Sequence, residues 1–120
     1  METTESTRQQ KVARQIQKDI SDLFLKECAD TVRGAMVSVT RVRMSPDLGY
    51  AKIYLSVFPF EKSENVMTRV EKDNWKIRKA LGTRIRFQLK TLPELAFFLD
   101  DSLEYIKNID ELLKEDKNEE

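Results

Sequence analysis

Apolar residues recur at helical spacing near the start of this chain, then alternate with polar ones, then return to helical spacing. Val12, Ile16, Ile20, Leu23 and Phe24 share one face of a helix that the spacing predicts from Thr7 to about Ala29. Thr7, with Gln10 three residues on, fits a capping box at its start. From Met36 to Met44 and from Tyr50 to Phe58 the period falls to that of half-buried strands. Ala51, Ile53, Leu55 and Val57 alternate there with Tyr50, Lys52, Tyr54 and Ser56. In the first strand Val37 and Val39 lie on one face and Val42 and Met44 on the other, so a bulge is expected near Thr40. Ser45-Pro46-Asp47-Leu48-Gly49 joins the strands with the proline, acid and glycine of a turn, giving an antiparallel hairpin.

Pro59 closes the second strand, and Ser63 is the expected cap of a long helix running to about Lys90. Its buried stripe is Val66, Val70, Ile77, Leu81, Ile85 and Leu89. Gly82 falls inside that stripe, costs a helix about 1 kcal/mol relative to alanine, and marks the expected break. Leu95 to Leu99 reads as a short third strand. Asp101 and Glu104 then fit a capping box for a C-terminal helix carrying Leu103, Ile106, Ile109 and Leu113. The order is helix, strand, strand, kinked helix, strand. It predicts an α+β domain over residues 7–113, a three-stranded sheet with helices on one face. Residues 1–6 and the acidic 114–120 read as flexible ends.

A chain of 120 residues is about one domain. Its formal net charge of zero hides a polarity, because residues 100–120 hold nine acids against three lysines and the remainder carries a net +6. Catalysis has little to stand on. Histidine is absent, which removes Ser-His-Asp and Cys-His pairs, and the single cysteine, Cys28, allows neither an intrachain disulfide nor a metal cluster. Three widely spaced glycines form no phosphate-cradling loop. The adjacent Asp100 and Asp101 are explained by strand exit and helix capping. No enzyme, cofactor or small-molecule substrate is expected. The N-terminus has no apolar signal segment and no apolar run approaches spanning length, so a cytoplasmic protein with no membrane partner is expected.

Charge placement offers more. Between Asp73 and Glu94 there is no acid, while Lys76, Arg78, Lys79, Arg84, Arg86 and Lys90 supply six cations. On a helical wheel Lys72, Lys76, Lys79, Arg86 and Lys90 fall opposite the buried stripe. Lys11, Arg14 and Lys18 make a second basic face on the first helix. A field of one sign favours a polyanion, and each phosphate neutralised makes affinity fall with salt. A restart of the helix at Gly82 would add free amides near Leu81 to Arg84. An ordinary solvated helix face explains the lysines, but explains less well the loss of acids between Asp73 and Glu94.

These residues also carry a resemblance. Arg8 to Leu23, Val39 to Tyr54 with Met44-Ser45-Pro46-Asp47-Leu48, Ile77 to Gly82, and Leu92-Pro93-Glu94-Leu95 through Asp101-Ser102 resemble the ribosome-binding factor A family. The likeness covers about residues 7–113. It implies a type II KH-like fold in which an Ala-x-Gly kink replaces the Gly-x-x-Gly loop, placed here on Ala80-Leu81-Gly82. It further implies a monomer that binds the free 30S small ribosomal subunit, contacts 16S rRNA and supports late processing of its precursor, notably in the cold. A module gripping an acidic protein, and a KH-like RNA binder unrelated to ribosomes, are the competing readings.

Overall fold

The computed structural model describes residues 5–100. Its elements are α1 (Thr7–Leu25), β1 (Met36–Met44), β2 (Tyr50–Phe58), α2 (Ser63–Lys72), α3 (Asn74–Ile85) and β3 (Glu94–Leu99). The strands form one sheet in the order β1-β2-β3, β1 antiparallel and β3 parallel to β2. The expected C-terminal helix, residues 1–4 and the acidic end 114–120 lie outside the described residues, while Glu5 and Ser6 of the expected flexible start are held by Arg43 and by the capping of α1.

The core lies between the helices and one sheet face. Val39, Val42, Met44, Ala51, Ile53, Leu55, Val57, Leu95 and Phe97 point into it from the strands. Ile16, Ile20, Leu23 and Phe24 of α1, Val66 and Val70 of α2, and Ile77, Leu81 and Ile85 of α3 meet them. Pairing passes from Val39 opposite Leu55 directly to Arg41 opposite Tyr54, leaving Thr40 as the extra residue of a bulge. The bulge puts Val39 and Val42, three apart in sequence, on the same buried face.

Three local expectations move, and the hairpin turn gains a detail. The capping box of α1 sits one residue earlier. Ser6 Oγ accepts from the Gln9 N–H at 3.1 Å, and the Ser6 N–H donates to Gln9 Oε1 at 2.8 Å. This register also lets the buried Gln9 amide donate to the Met44 carbonyl at 3.0 Å. α1 ends at Leu25 rather than Ala29, because the chain turns there to bury Cys28 and forms a short 3-10 turn over Ala29–Val32. Ser63 is the first residue of α2, not its cap, and its buried hydroxyl has no partner among the described residues. In the hairpin turn it is Leu48, with φ of 60°, that takes the left-handed conformation, while Gly49 donates its N–H to Asp47 Oδ1 at 3.0 Å.

The largest correction concerns the long helix. It breaks at Asp73, and Gly82 lies in the continuous interior of α3. Asp73 adopts φ −94° and ψ 13°, donates its N–H to the Arg69 carbonyl at 2.8 Å, and accepts from the Lys76 and Ile77 N–H groups at 2.9 Å each. Aspartate and asparagine favour such junctions because their side chains bond locally. Here Asp73 Oδ2 accepts from the Thr31 hydroxyl at 2.7 Å, and Asn74 Nδ2 donates to the Leu95 carbonyl at 3.0 Å. Gly82 answers a different need, for a Cβ there would sit 3.0 Å from Leu92 Cδ2. The glycine lets the segment before β3 pass close to α3. Ala80-Leu81-Gly82 is therefore not a kink.

Candidate nucleic-acid interface

The cations of the third segment fall into three groups. α3 buries Ile77, Leu81 and Ile85, and at 100° per residue Arg78 and Arg84 flank that stripe by about 60° on opposite sides. Long basic side chains at such borders lie along the apolar surface and bring their heads to nearby acceptors. Arg78 Nε donates to the Pro93 carbonyl and Nη2 to the Leu92 carbonyl, both at 2.9 Å, fastening the strand connection to α3. Arg84 joins α3 to the end of α1, with Nη1 2.8 Å from Asp22 Oδ2 and Nη2 3.1 Å from Glu27 Oε1. The Arg84 guanidinium holds the Asp22 carboxyl below the usual carboxylate range, with Lys26 at 3.3 Å adding to the effect. Both arginines were expected to meet phosphate, but both are committed to the protein itself.

The second group surrounds the helix break. Lys72 ends α2, and Lys76 and Lys79 stand on the first turns of α3. Lys72 and Lys79 are exposed and Lys76 is half-buried. Trp75, on the same exposed side of α3, is 66% exposed. A large aromatic side chain left in water among lysines can offer a stacking surface beside phosphate-binding charges. Trp75 is a site candidate that the basic stripe does not pick out, although its place off the buried stripe of α3 marks it as exposed.

Arg86 and Lys90 form the third group. The expected stripe ran through them, but α3 ends at Ile85 and the chain turns, with Gln88 N–H bonded to the Ile85 carbonyl at 2.9 Å. Leu89 is still buried, which is why the helical pattern continues in the sequence past the end of the helix. Arg86, Phe87 and Lys90 line a groove of about 890 Å³ with Arg8 and the hairpin turn Pro46–Gly49. Phe87 is 87% exposed, with the Arg86 guanidinium 4.7 Å from its ring centroid. Asp47 also lines this groove, and the Ser45 hydroxyl and Gly49 N–H hold its carboxyl below the usual range. Arg8 and Phe87 are site candidates that helical spacing did not pick out.

Of the second basic face, Lys11 borders a recess with Arg8 and Gln88, so it adjoins the third group. Arg14 and Lys18 are exposed on α1. Leu81 is fully buried in the core and Ala80 is half-buried against it, so neither presents itself to a ligand. Burial pushes the Cys28 thiol up, which leaves it a packed apolar side chain rather than a nucleophile. Among the described residues no cluster of acids, cysteine and histidine could hold a metal ion, and no helix is long and apolar enough to cross a membrane.

The chain is similar to known proteins over most of its length. A family model described as "Ribosome-binding factor A" matches residues 8–113. A relative of that name from Cytophaga hutchinsonii is 43% identical, with 95% of this chain and 91% of the relative covered. The crystal structure of ribosome-binding factor A from Thermus thermophilus matches with a TM-score of 0.64 at 19% identity, over 76% of this chain and 94% of that one. A Thermus thermophilus model fitted into a map of a 30S–ribosome-binding factor A complex matches with a TM-score of 0.58 at 19% identity, over 74% and 91% of the two chains.

Proposed function

The chain belongs to the ribosome-binding factor A family, and from that premise we propose that it binds the free 30S small ribosomal subunit as a non-catalytic assembly factor. A Thermus thermophilus relative has been fitted into a 30S complex, which supports the same partner here. The observation that carries the reading is the acid-free run from Asn74 to Pro93, folded so that Lys72, Lys76, Lys79 and Trp75 surround one helix break. Arg86 and Lys90, with Arg8 and Lys11, form a second patch past the other end of α3, about 18 Å along a 12-residue helix. Two basic patches at that separation suit a folded RNA backbone better than one small ligand. Phosphates of 16S rRNA meet these lysines and arginines, and Arg78 and Arg84 hold the surface in shape. Lys11, Arg14 and Lys18 widen the basic face on α1.

Occupancy of the free subunit supports late maturation of the 16S rRNA precursor, with the greatest demand in the cold, and the protein acts in the cytoplasm as a monomer. Sucrose-gradient fractionation with purified subunits tests the partner. The protein should travel with free 30S particles at low salt and leave them as salt rises. Protein that stays at the top of the gradient would refute the assignment.

A further inference from the structure

The helices cover one face of the sheet, and the other carries a row of side chains that the assembly reading does not use. Arg41, Tyr54 and Phe98 are direct cross-strand neighbours on β1, β2 and β3. The Tyr54 and Phe98 rings stack with centroids 5.4 Å apart and planes 28° from parallel. The Arg41 guanidinium lies 4.6 Å from the Tyr54 centroid. Phe98, on the edge strand, is 40% exposed. The neighbouring row is Arg43, Lys52 and Ala96. Ala96 has no bulk above the sheet, so it leaves a shelf between Phe98 and Lys52.

The charges on this face are unbalanced. Arg43 and Lys52 stand directly opposite each other, a like-charge pairing that costs a sheet stability unless an anion intervenes. Glu5 approaches Arg43 at 3.6 Å. Arg41 and Lys52 have no ion-pair partner among the described residues. The carboxylates nearby are engaged, Glu94 lying 3.7 Å from Arg78 and Asp100 accepting from the Thr40 hydroxyl at 2.6 Å.

We propose that this open sheet face binds a short single-stranded RNA segment, with a base stacked on Phe98 over the Ala96 shelf and phosphates beside Arg41, Arg43 and Lys52. Charge complementarity selects a polyanion, and the exposed ring at the end of an existing stack selects one with aromatic bases. Sheets that display aromatic rings bind unpaired nucleotides in this way. The inference rests on the RNA-binding reading above but names a second surface, on the opposite side of the sheet from α3.

The test titrates the full chain into a labelled ten-nucleotide unstructured RNA and follows ring resonances. Phe98→Ala should weaken binding by about tenfold with an unchanged salt slope, because stacking releases no counterions. Phe98→Trp should restore it, and the Tyr54 and Phe98 ring protons should shift on RNA addition. Equal affinity for wild type and Phe98→Ala, or unmoved ring protons, would overturn the proposal while leaving 30S co-sedimentation intact. Contacts from the Phe98 ring to Leu103, Ile106 or Leu113 that persist in the presence of RNA would give the face to the chain's own acidic segment and also overturn it. A dimer that Phe98→Ala dissolves would do the same.

Discussion

Arg84 and Lys79 have the same charge and lie five residues apart on one helix, yet they do different jobs. Lys79 is exposed to water, while Arg84 is held between Asp22 and Glu27. Because Arg84 lowers the folded-state pKa of Asp22, the pairing contributes fully above the ordinary aspartate value of about 4 and fades as pH drops through the lower folded value. Asp22→Asn should therefore melt below wild type at pH 7, and the gap should shrink as pH falls below the ordinary aspartate value of about 4. A gap that is constant with pH would contradict the pairing. Gly82→Ala makes a second test. Alanine favours the helix by up to about 1 kcal/mol, and the flexible end of the half-buried Leu92 must move by a few tenths of an ångström to admit it. The expected outcome is a small rise in Tm with unchanged 30S binding. Loss of binding would show that Gly82 serves the interface and not only the packing against Leu92. Sequence spacing could show that Arg84 lies near the core border, but not that two acids of α1 wait there.

At the scale of elements, the hairpin was legible to the residue, because alternation in β2 is strict and the bulge at Thr40 left its mark in the spacing of Val39 and Val42. The long helix was legible only as a buried stripe. Val66, Val70, Ile77, Leu81, Ile85 and Leu89 stay in phase even though the backbone breaks at Asp73 and the helix stops before Leu89. The break depends on contacts distant in sequence, Thr31 with Asp73 and Asn74 with Leu95, which periodicity cannot report. Thr31→Val keeps the buried shape and removes the donor to Asp73. It should cost about 1 kcal/mol and speed hydrogen exchange at the Lys76 and Ile77 amides. Unchanged exchange there would show that the junction holds without the Thr31 bond.

For the whole molecule, the α+β sandwich followed from the order of periods, and the fold bears it out. The interface did not follow as one stripe. Folding divides the predicted cations into structural arginines, a cluster at the helix break, and a groove beyond α3 that also gathers Arg8 from the other end of the chain. Only tertiary structure brings Arg8 and Lys90 to one groove. The central claim is that the lysines at the helix break meet rRNA phosphate, and its most direct test is titration of purified 30S subunits with wild type and the Lys76→Glu, Lys79→Glu double variant over a range of salt. Both lysines lie off the core, so the variant should keep the wild-type Tm within a few degrees. It should bind at least about tenfold more weakly, and its plot of log affinity against log salt should be shallower by about two. Equal affinity and equal slope for the two proteins would contradict the account.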